Sequence, residues 1–79
     1  MSLERSREVR RATEVRVLRA GVSPHAVGET IEVDYGAARA RVIRSVTRPP
    51  TDREADVFRD GLARPGSAIE AFEYEYLDQ

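Results

Sequence analysis

The chain has 79 residues, no cysteine and a single histidine, a length that allows one small domain with a marginal core. Without cysteine there is no disulfide framework, thiolate metal site or thiol nucleophile. One histidine also excludes the usual multi-histidine metal clusters. With 34% charged and 41% hydrophobic residues, the composition is that of a folded chain. We therefore expect a single domain over residues 1–79 that holds no metal and no cofactor.

Charge is distributed unevenly along the chain, and every cationic side chain other than histidine is arginine. Residues 1–50 hold ten Arg against six acidic residues, a net of +4. Residues 51–79 hold three Arg against eight acidic residues, a net of −5. Opposite charge in the two halves of a chain indicates an interaction function. Each guanidinium is planar, permanently charged and suited to bidentate contact with carboxylate or phosphate.

No segment approaches the ~18 consecutive apolar residues of a membrane span, so we expect no membrane association. The first residues carry positive charges without a following apolar stretch, which is unlike a signal peptide. The sequence therefore predicts a cytoplasmic protein, in a bacterium or in an infected host cell.

The N-terminal third begins without a clear periodicity. Residues 1–12 predict a flexible or helical arm that is rich in arginine. A strand pattern follows from Glu8 to Ala20, in which odd-numbered and even-numbered side chains lie on opposite faces. One face carries Val9, Thr13, Val15 and Val17, and the other carries Glu14 and Arg16. Residues 21–28 contain Ser-Pro-His and predict a loop.

The clearest strand signal lies in residues 29–47. Residues 29–35 alternate with period two, residues 36–38 predict a short turn, and residues 39–47 return as a second strand. A turn of about three residues containing Gly favours a β-hairpin. On the first strand Ile31, Val33 and Tyr35 alternate with polar residues, and on the second we expect Ala40, Val42 and Val46 to point inward.

A helix follows the hairpin. Pro49 and Pro50 end the strand because neither has an N–H for the ladder. Thr51 and Glu54 have the spacing of a capping box, and the apolar residues that follow recur at helical spacing. The sequence predicts one helix from about residue 52 to residue 63, ending before Pro-Gly.

The last segment, residues 67–77, alternates aromatic and acidic side chains, which favours a strand. A helix is the alternative, since Ser67 and Glu70 also have capping-box spacing. The order β-β-β-α-β predicts an α+β fold with a small antiparallel sheet, flat or curled toward a partly open barrel, and one packed helix. If the positive and negative strands are adjacent, Arg41 or Arg44 can face Glu73 or Glu75.

Catalysis is not predicted. His25 is the only ordinary base and lies in a Pro-flanked loop with no recognisable serine motif. Glu32 and Asp34 share a strand face that is typical of solvated carboxylates. The glycines are too scattered for a phosphate-binding loop.

Two candidate binding surfaces remain. An acidic and aromatic surface is typical of protein interfaces, although its aromatics could instead form the core, and at a sheet edge this strand could pair with a partner's sheet. A basic surface could contact protein or nucleic acid, although the overall charge of −1 is not that of a basic nucleic-acid-binding domain. The acidic and aromatic candidates are Asp56, Asp60, Glu73, Tyr74, Glu75 and Tyr76. The basic candidates are Arg7, Arg10, Arg11, Arg41 and Arg44.

These observations predict a small non-catalytic binding protein with a protein partner. We hypothesise a phage or mobile-element accessory protein that inhibits a host nucleic-acid-handling complex. One alternative is an arginine-dependent DNA- or RNA-binding module. Another is an oligomeric virion connector or structural protein, in which the positive half of one copy meets the negative half of its neighbour.

Overall fold

The computed structural model of the chain describes residues 9–77. They form a four-stranded antiparallel sheet and two short helices, which confirms the predicted α+β class and the element order. Within the described part of the chain, no helix has the length and apolar character needed to cross a membrane. The strands are β1 (Arg11–Leu18), β2 (Thr30–Val33), β3 (Ala38–Arg48) and β4 (Ala68–Tyr76), and the helices are α1 (Asp52–Val57) and α2 (Arg59–Leu62).

The sheet has the order β1-β4-β3-β2, so the last strand of the chain lies at its centre and β1 and β2 form its edges. The aromatic and acidic segment is a strand, and the helical alternative is wrong. Because β4 is paired on both sides, its backbone is unavailable to a partner's sheet. Of the predicted arm, residues 1–8, including Arg7, lie outside the described residues, whereas Arg11 and Ala12 belong to β1.

The predicted hairpin is β2 and β3, but its turn begins earlier than expected. Asp34 and Tyr35 have φ of 55° and 58°, and the Gly36 N–H donates to the Val33 carbonyl at 3.1 Å. Two successive residues with positive φ are typical of the tight turns whose twist matches that of the flanking strands. The prediction that the strand extends to Tyr35 is therefore wrong, since β2 ends at Val33 and Tyr35 lies fully exposed in this turn.

A β-bulge in β3 changes which side chains face the core. Val42 is opposite Tyr74, yet Arg44 is opposite Glu73, so Ile43 is the extra residue. An extra residue inverts the alternation of the strand beyond it. Val46, expected to point inward, lies on the other face and is 44% exposed.

The core occupies one face of the sheet, which we call the core face. Tyr74 is buried there among Val33, Ala40 and Phe72. The Phe72 and Tyr74 ring centroids are 6.0 Å apart, and those of Tyr74 and Tyr76 are 5.6 Å apart. An aromatic side chain contributes roughly 150–250 Å² of buried surface, so these rings carry much of the packing in so small a domain.

The helices cover one end of the opposite face. The capping box is confirmed: the Glu54 N–H donates to Thr51 Oγ1 at 3.1 Å, and the Thr51 N–H donates to Glu54 Oε1 at 3.0 Å. The predicted single helix is instead two, because Phe58 leaves the helical conformation at φ −106° and ψ 32°. Gly61 of α2 packs on Val17, where an added Cβ would lie 3.2 Å from Val17 Cγ2.

The open sheet face as a candidate interaction site

The face opposite the core is left uncovered beyond the helices. Strand register determines its composition, because directly paired residues of neighbouring strands share a face. Three rows cross β1, β4 and β3 in that order, and together they define what we call the open face. The rows are Arg11–Glu75–Arg41, Thr13–Glu73–Arg44 and Val15–Ala71–Val46.

The first row is a charge ladder. The Glu75 carboxylate lies 4.0 Å from Arg11 Nε and 3.9 Å from Arg41 Nη1. This confirms the predicted pairing of the positive and negative strands. Exposed pairs at such distances contribute roughly 0–1 kcal/mol each. Glu75 therefore offsets one of the two arginine charges within the sheet, and the row keeps a net charge of +1.

The second row differs because its charges are not paired with each other. Glu73 is half-buried and Arg44 is exposed, and the two are register partners. No side-chain hydrogen bond or ion pair joins either of them to another residue within 9–77. Each side chain is therefore free to contact an external group.

The third row is apolar. Val15 is 39% exposed and Val46 is 44% exposed, with the smaller Ala71 between them. The short alanine side chain leaves a depression of about 220 Å³ whose lining includes Thr13, Val46 and Ala71 together with Arg44 and Glu73. The open face thus combines an apolar floor with a carboxylate and a guanidinium at its margin.

The candidate tyrosines lie on the core face. Tyr74 is buried, and its hydroxyl donates to Glu14 Oε2 at 2.8 Å. Tyr76 is half-buried under Arg10, whose guanidinium carbon is 4.4 Å from the ring centroid. Among the sequence candidates, the structure therefore brings Arg11, Arg41 and Arg44 together with the two glutamates, and separates the tyrosines and Arg10 from them.

Asp56 and Asp60 lie on the helices rather than on the sheet. Both are exposed, and Asp56 Oδ1 accepts from Arg59 Nη2 at 2.9 Å. This ion pair is itself well exposed and is worth little to stability. The helical acids form a surface separate from the open face.

Glu70, which the sequence analysis did not single out as a site residue, is a buried acid of the central strand β4. The Glu70 side chain is inaccessible to solvent. It accepts hydrogen bonds from Arg16 Nε at 2.6 Å, Ser45 Oγ at 2.7 Å and the His25 N–H at 2.7 Å. Burial alone would raise the pKa of Glu70, but the hydrogen bonds from these donors outweigh it and lower this pKa to about 2. Glu70 therefore remains a buried carboxylate at neutral pH.

The His25 ring also lies beside this acid, with Nδ1 3.2 Å from Glu70 Oε2. A histidine held by a carboxylate supplies two of the three members of a catalytic triad. Within residues 9–77, however, no hydroxyl is recorded within hydrogen-bonding distance of the ring, which packs on Phe72 with centroids 4.5 Å apart. The contact therefore fastens the loop between β1 and β2 to the sheet.

No group of three His, Cys, Asp or Glu side chains in the described chain has a metal-binding arrangement.

Comparison of the chain with protein-family models, curated proteins and solved structures finds no match.

Proposed function

We propose that this protein is a non-catalytic binding module whose open face docks a protein partner. The partner presents an apolar side chain to the Val15–Ala71–Val46 row and a basic side chain to Glu73. The supporting observation is the position of an unpaired, half-buried carboxylate directly beside an exposed apolar row.

Each half of this arrangement favours a partner for a different physical reason. Covering the two valines removes apolar surface from water, which is favourable by roughly 25 cal/mol per Å². Glu73 is already partly withdrawn from water, so a charge-assisted hydrogen bond from an arriving Lys or Arg is stronger than at a fully solvated site. The apolar contact supplies affinity and the carboxylate selects a basic neighbour.

The same geometry favours protein over nucleic acid. A phosphate approaching Arg11 or Arg41 also meets Glu75 between them. Two further arginines are engaged elsewhere, Arg16 with Glu70 and Arg48 with Glu54. The three arginines of the open face are interrupted by two glutamates, so the face offers a polyanion no continuous positive track. Complexes that handle nucleic acid typically have basic protein surfaces. Such a complex would supply the basic side chain that Glu73 contacts, in keeping with an accessory protein that inhibits it.

Affinity capture with matched variants tests this proposal. The full chain is immobilised and exposed to a nuclease-treated lysate over a range of salt concentrations. Glu73→Arg and Val46→Asp alter the open face, whereas Asp56→Arg and Val57→Asp make the same changes on the exposed helix. Circular dichroism establishes that each variant is folded.

The proposal predicts a protein that is captured after nuclease treatment, retained by both helix variants and lost by both open-face variants. Retention by Glu73→Arg and Val46→Asp together with loss in Asp56→Arg would move the binding site to the helical acids and overturn the proposal. Capture of nucleic acid with a steep salt dependence would overturn it in favour of a nucleic-acid-binding module.

A further inference from the structure

The outer edge of β1 is an eight-residue strand without proline or glycine, and β4 is the only described strand that pairs with it. The Tyr76 N–H donates to the Arg10 carbonyl at 2.9 Å. In an antiparallel pair, residues alternate between those bonded to the neighbouring strand and those pointing away from it. Even-numbered residues of β1 therefore face β4, and the N–H and C=O groups of Thr13, Val15 and Val17 point outward.

We infer that this edge pairs with β1 of a second copy of the chain, antiparallel, about a twofold axis at Val15. Val15 then lies opposite Val15 of the second copy, and Thr13 lies opposite Val17. All of these residues have outward-pointing backbone groups, so the pairing forms about six backbone hydrogen bonds. The two sheets join into one.

Charge complementarity selects this register. With Val15 on the axis, Glu14 of each copy lies opposite Arg16 of the other, which gives two opposite-charge pairs at the centre of the paired strands. Arg11 comes opposite Arg19 of the other copy, but Arg19 lies beyond the end of β1. Moving the axis by one residue places either Glu14 opposite Glu14 or Arg16 opposite Arg16, and like charges directly opposite are destabilising. A register that pairs odd-numbered with even-numbered residues is also excluded. Backbone groups that point away from β4 in one copy would then lie opposite groups that point toward β4 in the other.

Both charged residues can make these pairs without giving up their contacts inside the chain. Glu14 is exposed and accepts one hydrogen bond, from the Tyr74 hydroxyl. The Arg16 side chain is 38% exposed while it donates to Glu70, and a guanidinium has five N–H donors. The edge strand therefore has a free acceptor and free donors at the two positions that the register requires.

The dimer also enlarges the open face. A twofold axis perpendicular to an antiparallel sheet leaves equivalent faces of both copies on the same side. The apolar row Val46–Ala71–Val15 then continues directly into Val15–Ala71–Val46 of the second copy. The inference does not depend on the proposed protein partner, since it rests on the edge of β1 rather than on its face.

Single-cysteine variants test the register directly, because the chain has no cysteine of its own. A disulfide requires Cα atoms roughly 4.4–6.8 Å apart, and a hydrogen-bonded antiparallel pair places them about 5.5 Å apart. Val15→Cys therefore meets its counterpart. Thr13→Cys lies four residues along the strand from its counterpart, about 14 Å away at ~3.4 Å per residue. Asp56→Cys, on the exposed helix, measures disulfide formation by random collision.

Under mild oxidation, we expect Val15→Cys to form a disulfide-linked dimer and both other variants to remain at the collision level. Sedimentation should show a reversible dimer of the unmodified chain. Val15→Pro should raise the dissociation constant of the dimer by about tenfold or more through the loss of backbone hydrogen bonds. Circular dichroism should show that the variant keeps its fold, because the lost N–H points away from β4. Equal or greater disulfide formation by Thr13→Cys, or an unmodified chain that stays monomeric at all concentrations, would overturn the inference.

Discussion

The Arg16 Nε atom lies 2.6 Å from Glu70 Oε1 and joins the edge strand β1 to the buried acid of the central strand. Ser45 of β3 and the loop residue His25 donate to the same carboxylate. Four separate parts of the chain thus meet at one charge that water does not reach. A buried charge is tolerated only when it is paired and hydrogen-bonded, so Glu70 and its donors depend on one another.

Removing this acid should strongly destabilise the fold. Glu70→Ala leaves the donors without their acceptor, and breaking a buried pair typically lowers the free energy of unfolding by about 3–5 kcal/mol. Glu73→Ala removes an acid of the same strand from the open face and should change it by less than about 1 kcal/mol. Urea unfolding followed by circular dichroism measures both. Equal losses in the two variants would show that the Glu70 network does not hold the strands together.

Stability should fall in acid. The hydrogen bonds to Glu70 lower its pKa to about 2 in the folded chain, and hydrogen bonding from Arg48, with a smaller contribution from the Thr51 N–H, lowers the pKa of Glu54 to about 2. Unfolded glutamate titrates near 4.3, so the unfolded chain takes up protons first as the pH falls. The stabilisation from both groups is complete above about pH 5 and is lost progressively toward pH 2.

The pH dependence can be assigned by mutation. Urea unfolding at a series of pH values between 7 and 3 should show a shallower decline in Glu70→Gln than in the unmodified chain, because the variant has no carboxylate to protonate at this position. Identical slopes would contradict the depressed pKa of Glu70.

The N-terminus of α1 should depend on the Thr51 hydroxyl. Thr51→Ala removes the acceptor of the Glu54 N–H and should lower the free energy of unfolding by about 0.5–2 kcal/mol. Thr51→Ser retains the oxygen and should recover most of that loss. Thermal unfolding followed by circular dichroism compares them, and a serine variant as unstable as the alanine variant would exclude the capping role.

Tyr74 should remain un-ionised in alkaline solution for as long as the chain is folded. Burial, followed by the hydrogen bond to Glu14, raises the pKa of Tyr74 far above its usual range. Tyr74→Phe should therefore leave the tyrosinate absorbance of the folded protein unchanged. A loss of about a third of the amplitude, corresponding to one of three tyrosines, would show that Tyr74 is accessible to hydroxide.

Much of the fold could be predicted from local pattern. Period-two alternation located β2, β3 and β4, and the Thr51 and Glu54 spacing located the start of α1. The β-bulge at Ile43, which reverses the faces of β3 beyond it, could not be predicted from the sequence. The position of a bulge depends on how the neighbouring strand pairs. Phe58 also gives no sequence signal of a helix break.

The candidate site was only partly predictable, for the same reason. The pairing of Arg41 with Glu75 could be predicted because the two strands have opposite charge. Predicting the composition of the open face also requires the order of the strands in the sheet, which local pattern does not specify. Glu70 has the appearance of a surface acid in the sequence. Its burial follows from tertiary contacts with Arg16, Ser45 and a loop far away in the chain.

Site-specific photo-crosslinking can detect a protein partner at the open face itself. A photoreactive side chain replaces Val46 on the open face or, as a matched control, Val57, which is 63% exposed on α1. Each labelled chain is irradiated in nuclease-treated lysate, and adducts are identified by mass spectrometry. If the open face binds a protein, position 46 should give one specific protein adduct that Glu73→Arg abolishes, and position 57 should give none. The same adduct from position 57 alone, or an adduct at position 46 that persists in Glu73→Arg, would contradict binding at this face.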